Sequence, residues 1–246
     1  MTTTKTKGRR ALVTGGSGDI GGAICRALAA YGHHVYVHAH MHAARAQEVV
    51  AAIHAAGGAA EVVVFDITDS AATRLALDTL LQAGTIEVLV HNAGVHDDAP
   101  LAGMTDAQWR RVIDVSLHGF FHVTQPLLLP MARAKFGRIV AVSSVAAVLG
   151  NRGQVNYAAA KSGLHGAAKS LAREMAARGV TVNVVAPGVI AGSMSGAAFD
   201  AEQIRQLVPA ARAGTPEEVA ALVAFLCSAD AGYINGQVIG INGGMG

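Results

Sequence analysis

Apolar residues along this chain follow two alternating periods. Short β-branched runs, nearly continuous in apolar character, read as strands at Arg10–Thr14, Val35–Ala39, Glu61–Phe65, Val88–His91, Arg138–Ser143, Thr181–Ala186 and Gln237–Ile241. Between them, Ala-rich segments of helical period read as helices at Ile20–Tyr31, Ala43–Ala56, Ser70–Gln82, Asp106–Ala134, Tyr157–Arg178 and Pro216–Ser228. Strands without a polar face need cover on both sides. The alternation therefore predicts an α/β fold, a doubly wound, Rossmann-type parallel sheet flanked by helices. No linker, composition shift or internal repeat divides residues 1–246, which are read as a single domain. Helix punctuation agrees: Thr215-Pro216-Glu217-Glu218 offers an N-cap, an N1 proline and two acids, and Gly32 and Gly179 fall where helices end.

Composition narrows the function classes. Of 246 residues 52% are hydrophobic, enough for a substantial core, which excludes disorder. With 19 Lys+Arg against 17 Asp+Glu the net charge is +2 and no basic block stands out, so a small-molecule partner fits better than nucleic acid. Mean hydropathy is +0.38, yet the longest stretch without an ionisable side chain, Gly179 to Phe199, contains Asn183, Pro187, Gly188, Gly192 and Gly196. That is core material rather than a membrane span. The Lys/Arg/Thr-rich start runs into an apolar segment too short for a signal peptide, so a cytoplasmic location is expected. Cys25 and Cys227 are too few and too far apart for a disulfide framework or a zinc ribbon.

Two motifs carry chemistry. The first strand ends in Thr14-Gly15-Gly16-Ser17-Gly18-Asp19-Ile20-Gly21-Gly22, directly before a helix. Glycine there permits a tight turn and close approach of a pyrophosphate, while the helix N-terminus supplies free N–H groups and the positive end of its dipole. Further on, Tyr157 and Lys161 stand four apart and share a helix face. A phenol of reference pKa ~10 is a poor acid–base group near neutrality, and an adjacent ammonium favours its ionised form; a shift of ~3 units takes ~4 kcal/mol.

Together these motifs resemble the short-chain dehydrogenase/reductase family over the whole chain. The resemblance rests on the glycine turn, Asp66 after the third strand, Asn92-Ala93-Gly94 after the fourth, Ser144 after the fifth, Tyr157 with Lys161, and Pro187-Gly188. Ser144 precedes Tyr157 by 13 residues, the family's usual spacing, which favours it over Ser143. Within the family the chain looks most like bacterial 3-oxoacyl-[acyl carrier protein] reductases, through Gly150–Tyr157, Leu171–Gly179 and Ile241–Met245. The resemblance implies that Ser144 hydrogen-bonds a substrate carbonyl, Tyr157 donates the proton, and Lys161 tunes Tyr157 and holds the nicotinamide ribose. It also implies cofactor contacts from Gly15, Ser17, Gly18, Asp19, Ile20, Gly21, Asp66, Asn92, Ala93, Gly94, Pro187, Gly188 and Ile190.

The chain departs from the family pattern at several positions. Ser116 fills the fourth catalytic position, where relatives use Asn to hold a relay water, and His91 stands where another Asn is usual. Asp19 replaces the second glycine of the turn, where a tolerance for left-handed backbone would preserve it. Gly192 replaces a Thr that faces the nicotinamide carboxamide, with Ser193 as its possible substitute. At the end of the second strand Ala39 offers no carboxylate to a ribose 2′-hydroxyl, and His38, His40, His42 and Arg45 are available to a 2′-phosphate, so NADPH is expected over NADH. The histidines are read as solvated or phosphate-facing rather than as a metal site.

The implied substrate is a 3-oxoacyl thioester in fatty-acid or polyketide-type synthesis, with an acidic acyl carrier protein docking on Lys135 and Arg178 near the pocket mouth. Ala191–Leu207 reads as a substrate lid. Relatives imply a homotetramer. Two alternatives stand beside this reading: a reductase of a free small ketone or secondary alcohol, and a dinucleotide-binding protein whose catalysis has lapsed.

Overall fold

The computed structural model describes residues 8–192 and 200–246. Seven strands form one parallel sheet: β1 (Arg10–Thr14), β2 (His34–Ala39), β3 (Ala59–Val64), β4 (Val88–His91), β5 (Gly137–Val142), β6 (Val180–Pro187) and β7 (Val238–Ile241). Their order is β3-β2-β1-β4-β5-β6-β7. The expected strands all form, with ends displaced by a residue or two.

Alternation within each strand sorts side chains between two cores. Ala11, Val13, Val35, Val37, Val140 and Val142 pack beneath α1 (Asp19–Ala30), α2 (Ala43–Ala55) and α9 (Pro216–Cys227). Leu12, Tyr36, Leu89, Ile139 and Val182 point the other way, against α3 (Ser70–Gln82), α5 (Gly119–Ala134) and α7 (Val155–Met175). Every residue of β4, β5 and β6 is buried, which is why these strands read as nearly continuous apolar runs. The predicted capping at Thr215 is present as a reciprocal capping box with Glu218, and Gly32 adopts a positive φ just past α1.

One predicted helix is divided. The segment Asp106–Ala134 forms α4 (Asp106–Ile113), a five-residue π-helical turn (Asp114–His118) and then α5. A wider turn of this kind shifts the helix face by part of a residue, which periodicity over a long apolar segment does not register. Two short helices, α6 (Ala146–Leu149) and α8 (Ala201–Leu207), were not anticipated. Met194 and Phe199 of the expected lid, and Ser193, lie outside the described residues.

Strand order reverses between β1 and β4. The crevice at their C-terminal ends is where a doubly wound sheet binds ligands. No described helix is long and apolar enough to cross a membrane.

Candidate active site

The crevice has a turn end and a catalytic end. At the turn end, Gly15 is left-handed (φ +64°), and a Cβ added at Gly21 would run into the Gly15 carbonyl and within 2.8 Å of the Asn92 amide. Only glycine fits this approach of turn and helix. The Asn92 side chain donates to the Thr14 and Gly15 carbonyls (3.2 and 3.1 Å), binding the turn to the exit of β4.

His38 completes the anchorage from β2. Its Nε2–H donates to the Phe65 carbonyl (2.9 Å), which leaves Nδ1 to accept the Gly15 N–H (3.2 Å), and its own carbonyl accepts the Gly16 N–H (2.8 Å). The ring is buried, and burial pushes its pKa down to about 4. It is a neutral brace inside the fold, which corrects the expectation of a solvated or phosphate-facing side chain. The signal was available in sequence: a polar ring in a strand expected to be buried on both faces needs internal partners.

His91 does similar work on β4. Its Nε2–H donates to the Ser116 carbonyl (3.0 Å), and its Nδ1 lies 3.3 Å from the Thr14 hydroxyl, which accepts the Asn92 and Ala93 N–H groups (3.1 Å each). Burial, followed by the nearby Lys161 charge, lowers its pKa to about 3, so it too stays neutral. The π-helical turn carrying Ser116 is thus tied to the strand that carries Asn92.

At the catalytic end the Ser144 hydroxyl stands near enough to the Tyr157 phenol to favour its ionised form. Ser144 follows β5, and its Oγ accepts the Ala146 N–H (3.1 Å), starting α6. Ser143 is otherwise engaged: its hydroxyl donates to the Lys161 carbonyl (3.1 Å) and meets His165 Nε2 (2.8 Å). Lys161, one turn along α7, is buried with Nζ donating to the Val142 carbonyl (2.9 Å) and 5.8 Å from the Tyr157 ring centre. A Cβ on Gly94 would come within 2.8 Å of that Nζ and 3.5 Å of Ser116 Oγ. Ser116 Oγ is buried and has no hydrogen-bond partner among the described residues.

The electrostatics differ from the expectation in one respect. Burial pushes the Tyr157 phenol above its ordinary value, and the Ser144 hydroxyl pulls part of the way back. Burial also lowers Lys161 to about 8. A buried ammonium near the phenol does not by itself make the phenolate the resting form.

Comparison with known proteins places this arrangement. Residues 16–246 match the family model described as enoyl-(acyl carrier protein) reductase. A 3-oxoacyl-[acyl-carrier-protein] reductase of Escherichia coli is 41% identical over 97% of this chain and 98% of its own length. The corresponding reductases of Aggregatibacter actinomycetemcomitans and Mycobacterium bovis are 42% and 43% identical, covering 95% and 100% of this chain and 98% and 99% of theirs. The chain belongs to the short-chain dehydrogenase/reductase family. It is accordingly an NAD(P)-dependent oxidoreductase. Among solved structures, a putative gluconate dehydrogenase from Agrobacterium tumefaciens superposes with a TM-score of 0.93 at 31% identity, over 97% of this chain and 96% of its own.

Against the pattern of this short-chain dehydrogenase/reductase family, the structure resolves several departures. Asp19 is the first residue of α1 with helical backbone, so no left-handed tolerance is called upon; Lys135 and Ala211 alone among described non-glycine residues have positive φ. Its carboxylate accepts from Arg45 (3.1 Å). Gly18 is an extended N-cap where a Cβ would stand in ordinary contact, 3.5 Å, with the Gly15 carbonyl oxygen. Ala39 is buried at the exit of β2, followed by exposed His40, whose Nε2 lies 3.7 Å from Asp66. Asp66 accepts from the Thr68 N–H and hydroxyl (2.9 and 2.8 Å). Burial alone would raise its pKa, but these bonds and the neighbouring histidines hold it below the ordinary carboxylate range. Pro187 ends β6, Gly188 packs against Asn242, and Ile190 bridges to Gly214.

The docking expectation needs correction. Lys135 and Arg178 are neighbours, since a Cβ on Gly179 would strike the Lys135 carbonyl. Both, however, precede β5 and β6, whereas Ser144 and Gly188 follow them. A six-residue strand, about 20 Å long at ~3.3 Å per residue, separates the basic pair from the catalytic end of the same protomer.

Proposed function

We propose that this protein catalyses NADPH-dependent reduction of a 3-oxoacyl thioester, bound to acyl carrier protein or coenzyme A, to the 3-hydroxyacyl form. The observation that carries the reading is the Ser144–Tyr157 hydroxyl pair beside buried Lys161, in a chain similar over its length to three 3-oxoacyl reductases. The reading takes residues 1–246 as one dinucleotide-binding oxidoreductase domain, cytoplasmic and homotetrameric. Exposed Phe121 and Leu129 on α5 offer apolar surface for self-association.

The residues fit such a cofactor. The cradle formed at Gly21, which a Cβ would fill, lets a pyrophosphate approach Gly15, Ser17, Gly18, Ile20 and the free N–H groups of α1. Asp66 serves the adenine, and Asn92, Ala93 and Gly94 the adenosine ribose. Tyr157 and Lys161 would hold the nicotinamide ribose, and Pro187, Gly188 and Ile190 would hold the nicotinamide. With no carboxylate at the exit of β2, exposed His40 is left to receive a 2′-phosphate.

When bound, the reduced cofactor supplies a hydride to the carbonyl carbon. Ser144 donates a hydrogen bond to the carbonyl oxygen as negative charge develops there. The Tyr157 phenol, kept protonated by its burial, delivers its proton to that oxygen and completes the alcohol. Lys161 then stabilises the phenolate through its positive charge. Ser116 Oγ, buried without a described partner beside Gly94, holds a water that returns a proton to Tyr157. Carrier docking on Lys135 and Arg178 requires the assembly to bring this end of one protomer to the pocket of its partner.

A second reading, a free small ketone or secondary alcohol, draws support from that displaced basic pair and from the likeness to a putative gluconate dehydrogenase. The test is NADPH consumption with an acetoacetyl thioester beside a panel of simple ketones. Higher kcat/KM on the thioester supports the proposal, and preference for a free ketone overturns it. No turnover on any of them, with cofactor binding intact, supports lapsed catalysis.

A further inference from the structure

Lys161 is held at both of its ends by two consecutive residues. Its Nζ donates to the Val142 carbonyl (2.9 Å), and its backbone carbonyl accepts from the Ser143 hydroxyl (3.1 Å). Val142 is the last residue of β5, and the Ser143 N–H is fixed on the Val185 carbonyl of β6 (2.7 Å). The sheet therefore sets both where this turn of α7 lies and where the ammonium points.

His165 stands one turn further along α7, with its Nε2 2.8 Å from Ser143 Oγ. A serine hydroxyl has a single proton to donate. Here it faces the Lys161 carbonyl, which only accepts, so His165 presents Nε2–H to the Ser143 oxygen and carries its lone pair on Nδ1. In the other tautomer two acceptors would compete for one proton, and the hydroxyl could turn from Lys161 to the imidazole. Ser143 is buried, so bulk water does not make up for a partner lost there.

We propose that His165 is a positioning residue for Lys161: by donating Nε2–H to Ser143 it commits the serine hydroxyl to the Lys161 carbonyl, which keeps Nζ on the Val142 carbonyl and beside Tyr157. The inference rests on the role given to Lys161 in the proposed reaction and not on the identity of the ketone. A hydrogen bond to a carbonyl favours the charged amine, against the burial that lowers Lys161 to about 8. An Nζ freed from Val142 would lose that support and titrate lower. The titratable groups facing Lys161 are Tyr157 on the same helix and His91 on β4, whose pKa of about 3 keeps it neutral throughout, while Lys169 faces His165.

The test reads Lys161 directly, by ¹³C NMR titration of protein carrying ¹³C-labelled lysine, with Lys161→Met to assign the signal. The wild type should titrate near pH 8. Ser143→Ala and His165→Leu should each lower that midpoint by about half a pH unit or more, and His165→Gln, whose side-chain amide still donates to Ser143, should stay within about 0.2 of wild type. On whichever carbonyl substrate the wild type reduces, the first two variants should lose about tenfold in kcat at unchanged KM, and the Gln variant less than about twofold. A merely structural role would lower the melting temperature of all three variants without moving the titration. That result, or a Gln variant as impaired as the Leu one, overturns the assignment. The expected titration shifts beside a fully active Lys161→Met variant would support the positioning while removing Lys161 from the reaction.

Discussion

The two ends of the cleft are built by opposite means. Around Tyr157 and Lys161 the ionisable groups are deep in the protein, and burial shifts both of them away from their charged forms. Around His40, Asp66 and Arg45 the side chains are half-exposed or exposed, joined by contacts of 2.8 to 3.7 Å and open to solvent screening. Burial gives each group at the catalytic end a large effect and makes it expensive to keep. Screening at the adenosine rim makes each contact worth less and easier to exchange. Chemistry should therefore be lost by single substitutions at the buried end, while cofactor choice should be adjustable in small steps at the rim.

The sharpest way to break this contrast is Lys161→Met. Ketone reduction should fall by about 10²–10⁴-fold, the range of a lost proton-transfer or charge-stabilising group. Stability should move the other way. The folded pKa of Lys161, about 8, lies below its ordinary value, so the unfolded chain binds more protons between the two and stability rises with pH across that window. Below about pH 8 the full cost of the buried ammonium is present. The methionine variant should then melt no lower than wild type at pH 7 in a thermal scan, with any advantage shrinking as pH rises above 8. Lower stability at pH 7 with retained activity would refute both halves.

Next in size is acid sensitivity. His38 and His91 are buried neutral, with pKa values of about 4 and 3, so the stability they confer is complete above their unfolded value and is lost as pH falls through the folded ones. Each contributes a slope of about 1.4 kcal/mol per pH unit in that window. Denaturant unfolding at pH 7, 6, 5 and 4 should show a loss approaching two protons, and a variant lacking His38 should lose about one of them.

The rim should respond more gently. Gly18 is exposed and extended, and a Cβ there meets nothing closer than the Gly15 carbonyl oxygen at 3.5 Å, so Gly18→Arg adds a guanidinium near a 2′-phosphate without strain. NADPH affinity should rise about three- to tenfold, fading at high salt, with NADH unchanged. An equal gain for both cofactors would remove the 2′-phosphate from this part of the rim. The smallest expected effect is at Ser116. Replacement by Asn, whose amide holds a relay water with more donors, should raise kcat about two- to fivefold without changing cofactor affinity. A fall in kcat at unchanged stability would show that the pocket has adapted to serine.

Much of this was legible in the residues because the signals were local. Strand runs, helix periods, the glycine turn and the Tyr157/Lys161 spacing each depend on positions close in sequence, and the parallel, doubly wound character of the sheet followed from their alternation. What escaped depends on distant pairs. The brace from His38 to Gly15 and Phe65 links three elements, and the contact of Asp19 with Gly192 spans most of the chain. The π-helical turn at Asp114–His118 escaped because an added residue in a helical turn leaves an apolar pattern nearly unchanged. The basic pair was misplaced because sequence gives no depth along a strand: Lys135 and Ser144 are close in the chain yet lie at opposite ends of β5.

The central claim is that the buried end performs proton transfer while most of the grip on the cofactor comes from the turn end, with Lys161 rather than the Tyr157 hydroxyl holding the nicotinamide ribose. Tyr157→Phe keeps the ring and removes the hydroxyl that meets Ser144. Reduced-cofactor binding and NADPH-dependent turnover of an acetoacetyl thioester, measured on the same sample, separate the two. The account predicts a dissociation constant within about twofold of wild type and a kcat lower by about 10²–10⁴-fold. Near-normal turnover, or a loss of binding that matches the loss of rate, would contradict it.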